Sequence, residues 1–161
     1  MTKPKWILLA EDNAIDADLA LRALAVNEAE DRIVLAPDGA EALDCLYRRG
    51  AHEERTSGNP ALVLLDLKMP KVDGLEVLRQ IKADSRLKHI PVVVFTSSCE
   101  ESDLTRCYQL GVNAYVVKPV AFQEYRAVLQ HVRSFWMTIN EPPSDGRVAP
   151  RPPARQLVTA A

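Results

Sequence analysis

Glu11, Asp12, Asp66, Thr96 and Lys118 hold the chemical promise of this sequence, because each stands where a short apolar run gives out. Residues 6–10 lead into Glu11-Asp12, 61–65 into Asp66, 91–95 into Thr96, and 114–117 into Lys118-Pro119. Runs this short, continuous rather than alternating and rich in Val, Ile and Leu, read as strands covered on both faces. In an open sheet of such strands, ligands bind beyond the carboxyl ends. Three carboxylates, a hydroxyl and an ammonium would then share one rim. Crowded carboxylates take up protons unless a cation sits among them, and oxygen donors completed by water are what Mg²⁺ prefers. A lysine can hold a phosphoryl oxygen as a point charge, and a threonine hydroxyl can donate to another. The set suits phosphoryl transfer, where catalysis is mostly positioning and stabilisation of negative charge.

The elements that must position these groups are legible as alternating patterns. A weaker fifth run, residues 32–36, joins the four above. Between the runs lie helical stripes with caps. Ile15, Leu19, Ala23 and Val26 share a face after Asn13, a good N-cap. Asp38 and Glu41 form a capping-box pattern ahead of Leu43, Leu46 and Tyr47. Asp73-Gly74 reads as a turn and helix start, followed by Val77, Leu78 and Ile81. Ser98 and Glu101 suggest another capping box before Leu104, Cys107 and Tyr108, with Gly111 suited to the C′ position. A last helix is expected over about 121–138, with Phe122, Tyr125, Leu129, Val132 and Trp136 inward. Five strand–helix alternations predict a parallel sheet with helices on both faces, joined by right-handed crossovers. Residues 50–60 are polar and read as a long surface loop.

At 161 residues the chain has the length of one domain and enough material for a core without disulfides. A net charge of −2 argues against a general nucleic-acid binder. Cys45, Cys99 and Cys107 lack the spacing of a disulfide framework or a zinc site and read as free thiols of a reducing cytosol. No apolar run reaches the length of a signal-peptide core or a membrane span, so a cytoplasmic protein without membrane association is expected. Beyond residue 139, five prolines fall between Pro142 and Pro153. Residues 1–139 are therefore expected to form one domain and 140–161 an arm or disordered tail, with no output domain.

The segments Glu11-Asp12-Asn13, Leu65-Asp66-Leu67-Lys68-Met69-Pro70 with Gly74, Phe95-Thr96-Ser97-Ser98, and Tyr115 with Lys118-Pro119 together resemble the receiver domain of two-component response regulators. The resemblance spans about residues 5–136, with 30 residues from Asp66 to Thr96 and 52 from Asp66 to Lys118. It implies a flavodoxin-like (βα)5 fold with strand order 2-1-3-4-5, and phosphorylation of Asp66 by a partner sensor histidine kinase. Asp66 would be the nucleophile. Asp12, Asp66 and the Lys68 backbone carbonyl would hold Mg²⁺, with Glu11 acting through a bound water. The family more often has aspartate at the position of Glu11. Lys118 would pair with the phosphoryl group, aimed inward by a cis bond to Pro119. Thr96 and Tyr115 would be a switch pair: the hydroxyl moves to the phosphoryl group, the ring turns inward, and the surface of the last two helices and fifth strand changes. The protein would be no enzyme beyond its own phosphotransfer and autodephosphorylation.

Other features read more plainly. Asp16 and Asp18 look like first-turn helix acids. His52, His89 and His131 fall on loops or helix surface and have no catalytic context. At the Phe135-Trp136 end of the last helix, Val128, Phe135 and Ile139 widen the apolar stripe beyond what a core-facing helix needs. The long polar insert, the Trp-containing last helix and the proline-bearing tail resemble the single-domain regulators partnered with bacterial and cyanobacterial phytochromes. That resemblance implies a homodimer, with Phe135 and Trp136 as candidate contacts. Two alternatives are a phosphorylation-independent interaction module on the same fold and a small aspartyl-phosphate phosphatase. The latter needs a second acid where Lys68 stands.

Overall fold

Strands form where the apolar runs lie in the computed structural model, which describes residues 4–25 and 32–143. They are β1 (Trp6–Ala10), β2 (Arg32–Ala36), β3 (Leu62–Leu65), β4 (Val92–Thr96) and β5 (Ala114–Val117). All neighbours pair in parallel, in the order β2-β1-β3-β4-β5. The helices between them are α1 (Ala14–Leu24), α2 (Gly39–Tyr47), α3 (Gly74–Ala83), α4 (Glu101–Leu110) and α5 (Phe122–Arg133). This is the expected flavodoxin-like architecture. Because strand side chains alternate between faces, β1 feeds two cores. Leu8 and Ala10 pack with Leu43, Val77, Leu78 and Cys107, and Ile7 and Leu9 with Ala20, Leu24, Tyr125 and Leu129. Every residue of β1, β3 and β4 is buried, whereas β5 is only half-buried and β2 is mostly open.

Side-chain caps start the helices as the sequence suggests. Asn13 Oδ1 accepts from the amides of Ile15 and Asp16, Asp38 Oδ1 from Glu41, and Asp73 Oδ1 from Glu76. Gly111 ends α4 in the left-handed region at φ 93°. Ser98 departs from expectation. The N-cap of α4 is Glu100, and Ser98 lies two residues before it, in the β4–α4 connection. Three faces also differ. The buried side of α1 is Ala17, Ala20, Ala23 and Leu24, while Ile15 is 72% exposed, because small alanines let the helix lie close to the sheet. Val26 lies outside the described residues. Tyr108 and Phe122 are exposed rather than inward. The last helix passes at Ser134 into a π-helical turn, Ser134–Ile139, which buries Met137 and leaves Trp136 half-buried. Lys5 secures its end, donating to the carbonyls of Met137 and Asn140 at 3.2 and 3.4 Å.

The 50–60 segment is more ordered than a polar loop requires. It opens with a 3-10 turn, Gly50–His52. The Arg55 guanidinium lies 4.9 Å from the Trp6 ring and donates to the carbonyls of Cys45, Ser57 and Gly58. Gly74 has a sharper constraint. A Cβ there would lie 2.1 Å from the Asp66 carbonyl oxygen. Glycine thus lets the first turn of α3 close against the backbone that carries Asp66. Gly74→Ala is expected to cost roughly 1–3 kcal/mol, as overpacking does, measurable as a lower urea midpoint. An unchanged midpoint would show that this approach is not needed.

Candidate functional site

The carboxyl rim is built by ladder hydrogen bonds that continue past the strand ends. The Glu11 amide donates to the Ala36 carbonyl at 3.0 Å, Asp66 to Ala10 at 3.1 Å, and Lys118 to Thr96 at 2.7 Å. Glu11, Asp66 and Lys118 are therefore each held by a neighbouring strand. Glu11 and Asp66 are buried and Asp12 is exposed. One carboxylate oxygen from each of the three lies within 4.8 Å of the others. A set of hard oxygens this close fits a divalent cation. Lys68, whose backbone carbonyl was assigned to the same ion, lies in the β3–α3 connection with its residue exposed.

Lys118 comes from β5, two strands from Asp66, and reaches over β4 with its ammonium 5.8 Å from the Phe95 ring centroid. The ammonium donates to Glu11 Oε2 at 2.6 Å, Asp66 Oδ2 at 3.0 Å and Asp16 Oδ2 at 3.1 Å. The bond to Pro119 is not cis as expected, since no cis peptide occurs among the described residues. The lysine reaches the acids across a trans bond, the ordinary state, because its backbone is already fixed by the hydrogen bond to Thr96. Asp16 is the residue that sequence reasoning missed. Its place three residues after Asn13 puts it in the first turn, but α1 starts directly over the site, so that turn faces Lys118. Asp18, by contrast, pairs with Arg22 along the helix.

The electrostatics follow from one ammonium shared among several acids. Burial, with Asp66 nearby, pushes the Glu11 carboxyl up to about 7 against the pull of Lys118. Burial also opposes the charge on Lys118, but hydrogen bonds to Glu11 and Asp66 outweigh it and leave the ammonium more basic than usual. Tyr125, whose hydroxyl donates to the Asp16 carbonyl at 3.2 Å, is pushed up to about 12 mainly by burial.

Beside this rim, Thr96 is buried and its Oγ1 accepts from the Ser98 amide at 3.3 Å. Tyr115 already points inward. Its ring packs against the core and its hydroxyl donates to the Ser98 carbonyl at 2.9 Å. Burial raises its phenol above the ordinary value. Phe135 is 46% exposed and meets the half-buried Trp136 edge-on, with centroids 4.9 Å apart, on the far side of the molecule. None of the three cysteines is paired. His52 binds Glu41 at 2.9 Å, away from the rim. No helix among the described residues is long and apolar enough to cross a membrane.

A doubly wound five-stranded sheet with an acid pair after β1, an aspartate after β3, a hydroxyl ending β4 and a lysine after β5 defines a response-regulator receiver. The chain belongs to that family: the response regulator receiver domain model matches residues 7–130. It is 40% identical over 134 residues to response regulator Rcp1 of Synechocystis, covering 83% of this chain and 90% of the relative. The Mn²⁺-bound structure of Rcp1 superposes with TM-score 0.80 at 38% identity, covering 87% and 99% of the two chains. The phosphorylated cyanobacterial phytochrome response regulator RcpA matches with TM-score 0.82, also at 38% identity and the same coverage. The bacteriophytochrome response regulator RtBRR is 50% identical with TM-score 0.69, covering 89% of this chain and 85% of its own. The chain is thus a signalling protein of the two-component class, related to phytochrome response regulators.

The raised Glu11 carboxyl carries a signed pH dependence. A carboxyl held near 7 when folded and near 4.5 when unfolded stabilises the fold below about 4.5 and loses that contribution as pH rises toward 7. Without added metal, Glu11→Gln should therefore gain stability relative to the parent between pH 5 and pH 8. Thermal unfolding across that range checks the sign, and a constant difference between the two proteins would contradict it.

Proposed function

We propose that the chain is a single-domain response regulator that accepts a phosphoryl group on Asp66 from a sensor histidine kinase. The reading is carried by the Asp66 carboxylate, which ends the central strand with one oxygen 3.0 Å from the Lys118 ammonium, beside the oxygens of Glu11 and Asp12. An Asp66 oxygen would attack phosphorus as the nitrogen–phosphorus bond of a phosphohistidine breaks, leaving an acyl phosphate and a free imidazole. Asp12, Asp66 and the Lys68 carbonyl would hold Mg²⁺, with Glu11 reaching it through water. The bound cation would neutralise charge on the transferring oxygens. Lys118 would turn from Glu11 and Asp16 toward the phosphoryl group. Thr96 would donate its hydroxyl to a phosphoryl oxygen, and Tyr115 would fix the α4–β5–α5 surface that reports the event.

The kinase is proposed to be a phytochrome, on the strength of the phytochrome-regulator relatives. The protein is proposed to act in the cytoplasm, without binding nucleic acid directly. A homodimer through the end of the last helix is supported by Phe135 and Ile139, the latter 65% exposed. A phosphatase is not favoured, since Lys68 stands where that chemistry needs a second acid.

Incubation with acetyl phosphate and Mg²⁺ should give an acid-stable, base-labile adduct on the parent protein. Asp66→Asn should give none while remaining folded, since the relief of acidic crowding offsets the weakened contact with Lys118. A labelled Asp66→Asn chain would mean that the nucleophile lies elsewhere. For the dimer, Phe135→Asp should shift the sedimentation coefficient to that of a monomer. A parent that sediments as a monomer at every concentration would rule the dimer out.

A further inference from the structure

Ser98 is buried and engages each of its polar atoms. Its amide donates to Thr96 Oγ1 at 3.3 Å, and its carbonyl accepts from the Tyr115 hydroxyl at 2.9 Å. Its own hydroxyl donates to Asp103 Oδ2 at 2.6 Å and accepts from the Glu100 amide at 3.4 Å. One peptide thus joins the threonine at the rim, the tyrosine of β5 and the first turn of α4. The bond to Asp103 is the shortest of the four and ends on a carboxylate, the kind of hydrogen bond that is stronger than a neutral one. Asp103 lies in the first turn of α4 and reaches back past the N-cap Glu100. An acid that only complemented the helix dipole would need no such reach.

The direction of the effect follows from Tyr115. Its ring is inward, and the Ser98 carbonyl is its hydrogen-bond partner. Whatever fixes that carbonyl therefore favours the inward ring over an outward one. We infer that Asp103 is a positioning residue of the switch: through Ser98 it fixes the carbonyl that holds Tyr115 inward, biasing the unphosphorylated chain toward the arrangement that phosphorylation completes. This rests on the proposed roles of Asp66, Thr96 and Tyr115. The side-chain hydrogen bond of Asp103 runs to Ser98 and not to Glu11, Asp12 or Asp66. Its loss should change the population of the two ring positions and leave the acids as they are.

The test uses the full chain grown with 3-fluorotyrosine. The protein has four tyrosines, so the Tyr115 line in the fluorine NMR spectrum is assigned from Tyr115→Phe. The parent should show chiefly the inward line even without a phosphoryl analogue. Asp103→Ala and Ser98→Ala should show a second, outward line that beryllofluoride with Mg²⁺ removes, and should bind beryllofluoride roughly threefold more weakly, because part of its affinity now turns the ring. Mg²⁺ alone should bind all these proteins equally. Asp103→Asn keeps an accepting oxygen and should fall between parent and Ala. A merely structural Asp103 would lower the unfolding midpoint without moving line populations or beryllofluoride affinity, and that result overturns the inference. A parent that takes up beryllofluoride alongside an Asp103→Ala protein with an identical spectrum and affinity removes the latch and leaves the phosphoryl reading standing. A parent that takes up none overturns both.

Discussion

One ammonium set among acids governs the rim of this sheet. Glu11, Asp16 and Asp66 all lie within hydrogen-bonding distance of Lys118, and Asp12 stands beside them. A single positive charge cannot balance four carboxylates. The surplus is what makes the place hospitable to a divalent ion, and the Asp66 charge adds to the burial that chiefly raises the Glu11 carboxyl. The constraint reaches into the backbone. The ammonium must cross β4 from β5, which calls for a long side chain with a compact charge rather than a planar fork. It also calls for a β5 end held in register, which the hydrogen bond from Lys118 to Thr96 provides.

Much of this is legible in the sequence. The run at residues 6–10 matches β1 to the residue, because a strand buried on both faces advertises itself by unbroken apolar composition, and the weaker run at 32–36 matches the more open β2. The acids, the threonine and the lysine could be placed together because a parallel sheet puts every strand's carboxyl end on one side. Asn13, Asp38 and Asp73 signalled helix starts through chemistry local to a few residues.

What failed to show depends on contacts between distant segments. The stripe through Ile15 looked like the inner face of α1, yet the alanines took that place, since close approach rewards small side chains that hydropathy undervalues. Asp16 resembled any first-turn acid, and only the seating of α1 above the rim turns it toward Lys118. Ser98 carried a capping pattern but was drawn instead into bonds with Thr96, Tyr115 and Asp103, partners that no local window contains. The π-helical turn at 134–139 leaves no periodic signature in the sequence. It adds a residue to one turn, which lets Met137 reach the core while Ile139 stays outside.

The graded burial of the sheet has a mechanical meaning. Asp66 is mounted on β3, clamped between two strands as completely enclosed as itself, whereas Tyr115 rides on a rim strand packed on one flank only. Local compliance should rise steadily from β3 outward to β5, so a disturbance at the stiff centre would barely deform its own mounting. The displacement would emerge at the soft margin, much as a load on a rigid hub bends the outermost vane.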